Sequence, residues 1–289
     1  MTPVPRVAAL TIYPLKSAAG IEVSAMELDA WGAVGDRRWL LVDDAGQAIT
    51  ARTVPALLTI APQVVDTARD GTMTLTAPGR SPMVVPVPEA SAPLVPVQIW
   101  DDAVVARAAS HEASAWCADV LGQSCRLVRV SRETQRPLAP RFAGPLPFAG
   151  RHVTFTDGAP LLVLGLASIE ALNARLVEQG AFALMDRRRF RANIWLDGLA
   201  PHAEDTWRAV RIGDVALGLG SRCPRCVLTT IDPDTLERGA EPLRTMATYR
   251  REGGGVVFGI NTTHADPGWI RVRDEVTVDA MREDAPPAQ

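Results

Sequence analysis

Short apolar segments separated by turn residues run through most of the chain, and this pattern predicts strands more often than helices. Residues 72–76 alternate strictly between apolar and polar positions. Prolines recur between 78 and 96, and proline is confined to edge strands, so residues 7–97 should form a small barrel or meander. Further strands are predicted at 38–43, 126–130, 161–164, 210–217, 256–261 and 270–273.

Three segments instead favour helices. Residues 110–121 begin with Ser110 as a fitting N-cap and are followed by Gly122, which is typical of a helix end. Residues 168–178 carry apolar side chains at helical spacing, with Ser168 as the predicted cap. Residues 241–251 have a proline near the first turn. The predicted fold class is mainly β with some α.

Two segments carry most of the candidate chemistry. In Cys223-Pro224-Arg225-Cys226 a cation stands beside the second of two cysteines, and the β-branched run at 227–231 predicts a strand. Residues 189–196 alternate by two, which predicts a strand with Arg189, Arg191 and Asn193 on one face. Such a donor-rich face suits a phosphate or a planar heterocycle, although a solvated strand face is an equally good interpretation.

Length and composition limit the possible functions. A chain of 289 residues suits two domains, which we place at 1–122 and 123–289 with a linker near 131–148 and a disordered tail at 284–289. The net charge of −3 gives no field that would attract nucleic acid. No segment predicts a signal peptide or a membrane span. Four cysteines make no disulfide framework, which favours a cytoplasmic location.

The cysteine pair has four possible interpretations. A thioredoxin-type pair needs a following helix, and a zinc site needs further ligands that the four scattered histidines do not obviously supply. A Cys-His catalytic pair has no identified partner. A single thiolate that binds a soft metal with its own organic ligand needs only one cysteine and polar donors elsewhere. Cys117 and Cys125 are expected to be core residues.

The run Cys223-Pro224-Arg225-Cys226 followed by Thr229-Thr230-Ile231-Asp232-Pro233 resembles the MOSC domain family, and so does the segment at 189–194. Upstream, Tyr13-Pro14-Leu15-Lys16-Ser17 and Gly35-Asp36-Arg37-Arg38-Trp39 resemble the β-barrel domain that precedes MOSC in one branch. That branch contains the mitochondrial amidoxime reducing component and bacterial YcbX-type proteins. The resemblance covers nearly the whole chain and implies a β-barrel-like domain followed by a MOSC-type β-barrel domain.

The resemblance also implies a cofactor and the residues that bind it. The cofactor would be molybdenum cofactor, a mononuclear molybdenum held by a pyranopterin dithiolene and one protein thiolate. Cys226 matches the metal ligand, and Arg225 lies beside the metal as the second implied catalytic residue. The residues implied to bind the pterin and its phosphate, or to close the site, are Lys16, Ser17, Arg38, Arg191, Asn193 and Asn261.

The chain departs from the family pattern in four respects. Leu236 replaces a glycine in the turn after the cysteines, so that turn is expected to differ. Ala159 replaces a frequent serine. No cysteine of an iron–sulfur domain follows Cys226, and the N-terminal anchor of the mitochondrial relatives is not expected.

The function implied is reduction of N-hydroxylated compounds by oxygen-atom removal at the metal. Electrons would come from an external flavoprotein or ferredoxin-type reductase, because no Gly-rich nucleotide-binding unit is present. No nucleic acid, membrane or pyridoxal phosphate partner is expected. Two alternatives remain: a molybdenum cofactor carrier or sulfur-transfer protein that uses Cys226, and a structural β-domain with buried cysteines.

Overall fold

The computed structural model describes residues 4–64, 71–150, 152–180 and 184–283, which leaves the predicted tail at 284–289 outside the described residues. Strands dominate, so the predicted mainly β fold is confirmed. The strands are β1 (Arg6–Ile12), β2 (Ile21–Val23), β3 (Ala25–Asp29), β4 (Gly32–Ala33), β5 (Trp39–Val42), β6 (Ala61–Val64), β7 (Met73–Thr76), β8 (Met83–Val85), β9 (Leu94–Ile99), β10 (Asp102–Ala108), β11 (Arg126–Arg129), β12 (Leu161–Gly165), β13 (Ile194–Asp197), β14 (Trp207–Ile212), β15 (Val215–Pro224), β16 (Arg251–Glu252), β17 (Gly255–His264), β18 (Gly268–Arg271) and β19 (Val276–Met281). The α-helices are α1 (His111–Leu121), α2 (Leu166–Glu178) and α3 (Leu243–Met246). Short 3₁₀ helices cover Pro55–Thr59, Pro140–Phe142, Arg187–Phe190, Ala203–Thr206 and Val227–Thr230.

The largest sheet has nine strands and contains segments from both ends of the described chain. Its order is β19-β14-β15-β17-β12-β13-β1-β2, with β16 beside β17. The early strand β1 pairs antiparallel with β13, so that Leu10 lies opposite Ile194. Strands before residue 24 and strands after residue 160 therefore share one sheet and one apolar core. The division at 122/123 stays a prediction.

Three smaller sheets accompany it in the described part of the chain. Their orders are β5-β11-β10-β9, β6-β7-β8 and β18-β3-β4. Pro62 lies in β6 and Pro96 in β9, and both are edge strands, as proline requires. No helix in the described part of the chain is long and apolar enough to cross a membrane.

Helices α1 and α2 lie close to the predicted positions. The Ser110 hydroxyl accepts a hydrogen bond from the Ala113 amide and Gly122 adopts φ +68°, so both predicted ends of α1 are confirmed. Cys117 of α1 is buried in the core, and burial raises its pKa. Helix α2 begins two residues before Ser168, because the Ser168 hydroxyl donates to the buried Glu204 carboxylate instead of capping the helix.

The predicted strand at 227–231 is wrong, because Val227–Thr230 form a 3₁₀ helix. The hydroxyls of Thr229 and Thr230 donate to the carbonyls of Cys226 and Val227 at 2.9 and 2.8 Å. These bonds, three residues back along the chain, give the backbone a local alternative to strand pairing. The strand of this region is β15, which precedes Cys226 rather than following it.

The predicted strand at 189–196 also needs correction. Arg187–Phe190 form a 3₁₀ helix whose N-cap is Asp186, and Arg191 has a left-handed backbone at φ +56°. Strand β13 begins only at Ile194, so the three polar side chains do not share one strand face. Arg189 pairs instead with Asp232 at 2.6 Å.

The predicted helix at 241–251 is reduced to the single turn α3. Gly253 and Gly254 both have positive φ and turn the chain back, so that Arg251 pairs with Val256. This hairpin takes the last residues of the predicted helix into β16.

The turn after the cysteines keeps its left-handed position despite the missing glycine. Leu236 adopts φ +63°, and its amide donates to the Asp232 carbonyl at 2.9 Å. Whether this turn differs from that of the family stays a prediction. The Asp232 carboxylate also accepts hydrogen bonds from the amides of Asp234 and Thr235, which holds the turn closed around the unfavourable residue.

We expect Leu236→Gly to stabilise the protein by about 0.5–1 kcal/mol, because glycine removes the Cβ strain of a left-handed residue and loses part of that gain to unfolded-state entropy. Urea unfolding would measure the change. Leu236→Ala retains the Cβ and should give no gain. A destabilised glycine variant would show that Leu236 packing outweighs the backbone strain.

Candidate functional site

A cavity of about 530 Å³ opens where loops from distant parts of the chain meet. It lies beside the end of β15, the middle of β17 and the segment between Phe190 and β13. The loop after β1, the loop before β12 and the 3₁₀ helix Pro140–Phe142 complete its wall. The predicted site residues that line it are Lys16, Ser17, Arg191, Asn193, Arg225, Cys226 and Asn261.

The Cys226 thiol lies at the cavity wall, directly before the 3₁₀ helix Val227–Thr230. The Arg52 guanidinium donates from Nε to Cys226 Sγ at 3.1 Å. The same guanidinium donates from Nη2 to Asp157 Oδ2 at 2.7 Å. Arg52 is thus fixed at two points, and it places a positive charge next to the sulfur.

The second thiol, Cys223, lines the same cavity but has a different cation. Arg225 donates from Nη1 to Cys223 Sγ at 3.2 Å and from Nη2 to the Phe190 carbonyl at 2.7 Å. Burial raises the pKa of the Cys223 thiol, and the charge of Arg225 only partly offsets this effect. Arg225 therefore contacts the first cysteine, not Cys226 as the sequence suggested.

Within the described residues, the two thiols are not part of a metal site made by protein ligands alone. Among residues 4–64, 71–150, 152–180 and 184–283, no group of three or more His, Cys, Asp or Glu side chains could hold a metal ion. The zinc interpretation, which needs several protein ligands, has no ligand set in this part of the chain.

The Asp157 carboxylate joins two cations of the cavity wall, Lys16 and Arg52. Partial desolvation acts to raise the pKa of the half-exposed Asp157, but these two cations outweigh it and hold that pKa well below its ordinary value. Asp157 therefore remains ionised and links Lys16 to the cation beside Cys226.

Lys16 is the only lysine in the sequence, and its side chain is buried in the cavity wall. Its ammonium also donates to the Phe155 carbonyl at 2.7 Å. Burial lowers the pKa of Lys16 to about 8, even though Asp157 favours the charged form. The other cations of the cavity lining are arginines, which stay charged under the same conditions.

Two guanidiniums stack on the Tyr13 ring beneath the cavity. Arg37 and Arg191 lie 4.4 and 4.2 Å from the ring centroid. Arg191 donates from Nη1 to the Ala18 carbonyl at 2.8 Å, whereas its Nη2 is buried without a hydrogen-bond partner in the described structure. Burial, together with the charge of Arg37, lowers the pKa of Arg191 to about 10, although Tyr13 opposes the shift. An acceptor is needed at this point.

Asn193 has a fully used carboxamide. Its Nδ2 donates to the Thr11 carbonyl and to Asp36 Oδ1, both at 3.1 Å. Its Oδ1 accepts from Arg37 Nη1 at 3.0 Å and from the Leu162 amide at 3.2 Å. These four bonds fill the capacity of an amide side chain. Asn193 lines the cavity, but its hydrogen bonds position other residues.

Comparisons with known proteins identify the family. Residues 4–124 match the MOSC N-terminal beta barrel domain and residues 150–277 match the MOSC domain. The chain is 36% identical over 285 residues to "Mitochondrial amidoxime-reducing component 1" of Mus musculus, covering 93% of this chain and 81% of that protein. The human protein of that name is 32% identical, with 93% and 82% covered.

The chain belongs to the MOSC family with the N-terminal MOSC β-barrel domain. "Molybdenum cofactor sulfurase" of Oryza sativa subsp. japonica is also similar, at 28% identity, with 89% of this chain but only 32% of that protein covered. Two differently named groups of MOSC proteins thus resemble this chain over most of its length.

One predicted site residue, Arg38, is not among the residues that line the cavity. Arg38 was expected to hold the cofactor, but its guanidinium pairs with Asp29 at 2.7 Å and lies over the Trp31 ring. Its neighbour Arg37 lines the cavity instead. Arg37 has a left-handed backbone at φ +46° before β5 begins at Trp39, and its guanidinium donates to Asp36 and Asn193 beside the cavity.

Among the other cavity residues that sequence reasoning missed are Arg52, Asp157 and Trp100. Asp157 precedes a glycine in a segment that sequence alone identifies as a turn. Arg52 follows no motif, and its partner Cys226 lies 174 residues further on. Only the fold brings these residues together.

The single lysine permits a direct test of the cavity electrostatics. With [¹³C]lysine as the label, the Cε resonance of Lys16 should titrate near pH 8 in cofactor-free protein. Asp157→Asn removes the opposite charge and should lower this pKa further. Asp101→Asn, which changes another cavity carboxylate, serves as the control.

The same titration has a consequence for stability. The unfolded lysine titrates near pH 10.5, so the native protein binds fewer protons than the unfolded chain between about pH 8 and pH 10.5. The contribution of Lys16 to the free energy of unfolding should therefore rise with pH across this window. A Lys16 resonance that titrates above pH 10 would contradict the buried environment.

Proposed function

We propose that this MOSC protein is a molybdenum-cofactor-dependent reductase of N-hydroxylated compounds such as hydroxylamines and amidoximes. The observation that carries the proposal is the Cys226 thiol, hydrogen-bonded to Arg52 at the wall of a cavity rich in cations. Similarity to amidoxime-reducing components over 93% of the chain supports the same choice.

The cavity fits an anionic cofactor that brings its own metal ligands. Arg191 Nη2 is a buried donor in need of an acceptor, and a phosphate oxygen would supply one. Cationic side chains also exceed carboxylates in the lining. The cations are Lys16, Arg37, Arg52, Arg141, Arg191 and Arg225, and the carboxylates are Asp101 and Asp157.

Each part of the cavity has a distinct proposed role. Cys226 would supply the soft thiolate ligand that molybdenum favours. Arg37 and Arg191 would bind the phosphate, while Lys16, Ser17 and Asn261 would face the pterin. When bound, the cofactor supplies the two-electron chemistry that removes the oxygen atom from the substrate.

The chain contributes proton handling in addition to binding. Reduction of an N–OH group to N–H consumes two electrons and two protons and releases water. Lys16 Nζ holds a proton at neutral pH beside the ionised Asp157, close to the thiol-bound Arg52. This chain of charged groups keeps an exchangeable proton at the cavity wall.

Electrons are proposed to come from an external flavoprotein or ferredoxin-type reductase. The proposal rests on the two matched domains, in whose sequence no Gly-rich nucleotide-binding unit occurs that would hold a flavin or nicotinamide. A cytoplasmic location remains a prediction.

A carrier or sulfur-transfer function is the alternative, and one observation favours it. Cys223 and Cys226 both line the cavity, so a second thiol is available next to the proposed metal ligand. The resemblance to molybdenum cofactor sulfurase points in the same direction.

Turnover assays distinguish the two functions. Molybdenum-loaded protein should reduce an amidoxime or a hydroxylamine with reduced viologen, but not with NADH or NADPH until a reductase is added. Inert loaded protein that reactivates a cofactor-free molybdoenzyme would instead establish the carrier.

Substitution of the two thiols tests the metal ligand. Cys226→Ser replaces a soft thiolate by a poor hydroxyl donor and should lower molybdenum per chain at least about tenfold, without loss of the fold. Cys223→Ser is the matched control and should retain most of the metal. Equal losses in both variants would favour a paired-thiol site. Metal analysis and far-UV circular dichroism measure the two quantities.

A further inference from the structure

Trp100 occupies an unusual position for a tryptophan. It is the first residue of the two-residue turn between β9 and β10, and its φ is +54°. Hairpin turns place Gly or Asn at positions of positive φ, and a bulky aromatic residue there is an outlier. The residue is also 45% exposed, so burial does not explain its choice. An outlier of this kind at a cavity points to function.

The ring of Trp100 is held by the cations of the cavity. Arg52 lies 4.5 Å from its ring centroid and Lys16 lies 5.9 Å away. Because Arg52 also donates to Cys226, one guanidinium connects the ring to the proposed metal ligand. Trp100 therefore lies at the cavity mouth, one side chain away from the reacting centre.

A second aromatic ring lines the same cavity from another segment. Phe142 belongs to the 3₁₀ helix Pro140–Phe142, and the Arg141 guanidinium lies 4.9 Å from its ring centroid. The ring lies so close to Gly158 that a Cβ at residue 158 would come within 2.7 Å of it. Glycine at 158 thus allows Phe142 to approach the backbone next to Asp157.

We infer that Trp100 and Phe142 form an aromatic subsite that selects N-hydroxylated substrates with a planar aryl substituent. This inference rests on the proposed function and specifies its substrate class. A flat conjugated group stacks on aromatic rings, whereas a methyl group offers little surface for stacking. The polar groups around Cys226 would face the N–OH end, and the rings would hold the other end.

Benzamidoxime and acetamidoxime test the subsite, because they share the reacting group and differ only in the substituent. With reduced viologen as the donor, Trp100→Ala should lower the ratio of kcat/KM for benzamidoxime to that for acetamidoxime about tenfold, mainly through KM. Trp100→Phe should restore most of the ratio. Phe142→Ala should also lower this ratio, and it leaves the contact between Arg52 and the Trp100 ring in place.

Trp269→Ala is the matched control. Trp269 is 40% exposed and lies 5.8 Å from Arg271, but it is in β18, outside the cavity lining. Its removal should leave the ratio unchanged. If Trp100→Ala and Phe142→Ala weakened turnover of both compounds equally, the rings would only support Arg52 and the cavity wall, and the aryl subsite would be refuted.

Calorimetric binding of the two compounds to the loaded protein without an electron donor separates this inference from the proposed function. Tighter binding of benzamidoxime that depends on Trp100 supports the subsite even if no reduction occurs. Turnover with equal affinity for both compounds supports the reductase and overturns the subsite.

Discussion

The buried carboxamide of Asn193 is the interaction on which the architecture of the cavity depends. Its four hydrogen bonds join Thr11, Asp36 and Arg37 from the start of the chain to the Leu162 amide of β12. The β1–β13 ladder lies directly beside it, so backbone pairing and side-chain bonding fix the same junction. Because a buried amide is costly to leave unsatisfied, the four partners must assemble together.

The hydrogen bonds of Asn193 also affect where the charges of the cavity lie. Asn193 and Asp36 bind the Arg37 guanidinium over the Tyr13 ring, whereas Nη2 of Arg191 on the same ring has no hydrogen-bond partner among the described residues. Elsewhere in the cavity wall, the Asp157 carboxylate pairs with both Lys16 and Arg52. A wall with more cations than acceptors favours an anionic occupant, since like charges in a restricted space repel each other.

Sequence reasoning predicted the elements whose signals are local. The caps of α1 and the prolines of β6 and β9 express backbone constraints that act within a few residues. The segments at 189–196 and 227–231 were misassigned because alternation and β-branching describe propensity, whereas Asp186 and the threonine hydroxyls decide the backbone there.

Site residues that belong to a family motif could be predicted from the sequence, whereas the other site residues could not. The family motifs placed Cys226, Lys16 and Arg191 in the cavity lining. Arg52 and Asp157 have no local signal, and their roles arise only from tertiary contacts. The exchange of Arg38 for Arg37 shows the limit of motifs, because the left-handed backbone and the hydrogen bonds of Arg37 carry no signal in a motif of adjacent arginines.

The span of the cavity along the chain has a consequence for biosynthesis. Its lining extends from Lys16 to Asn261, and β1 pairs with a strand that follows it by more than 180 positions. During translation the first strand therefore emerges long before its partner exists, and closing so large a loop is slow. The cavity lining is complete only once β17 has left the ribosome. Until β13 has been synthesised, the edge of β1 that faces away from β2 stays unpaired and needs protection from other chains.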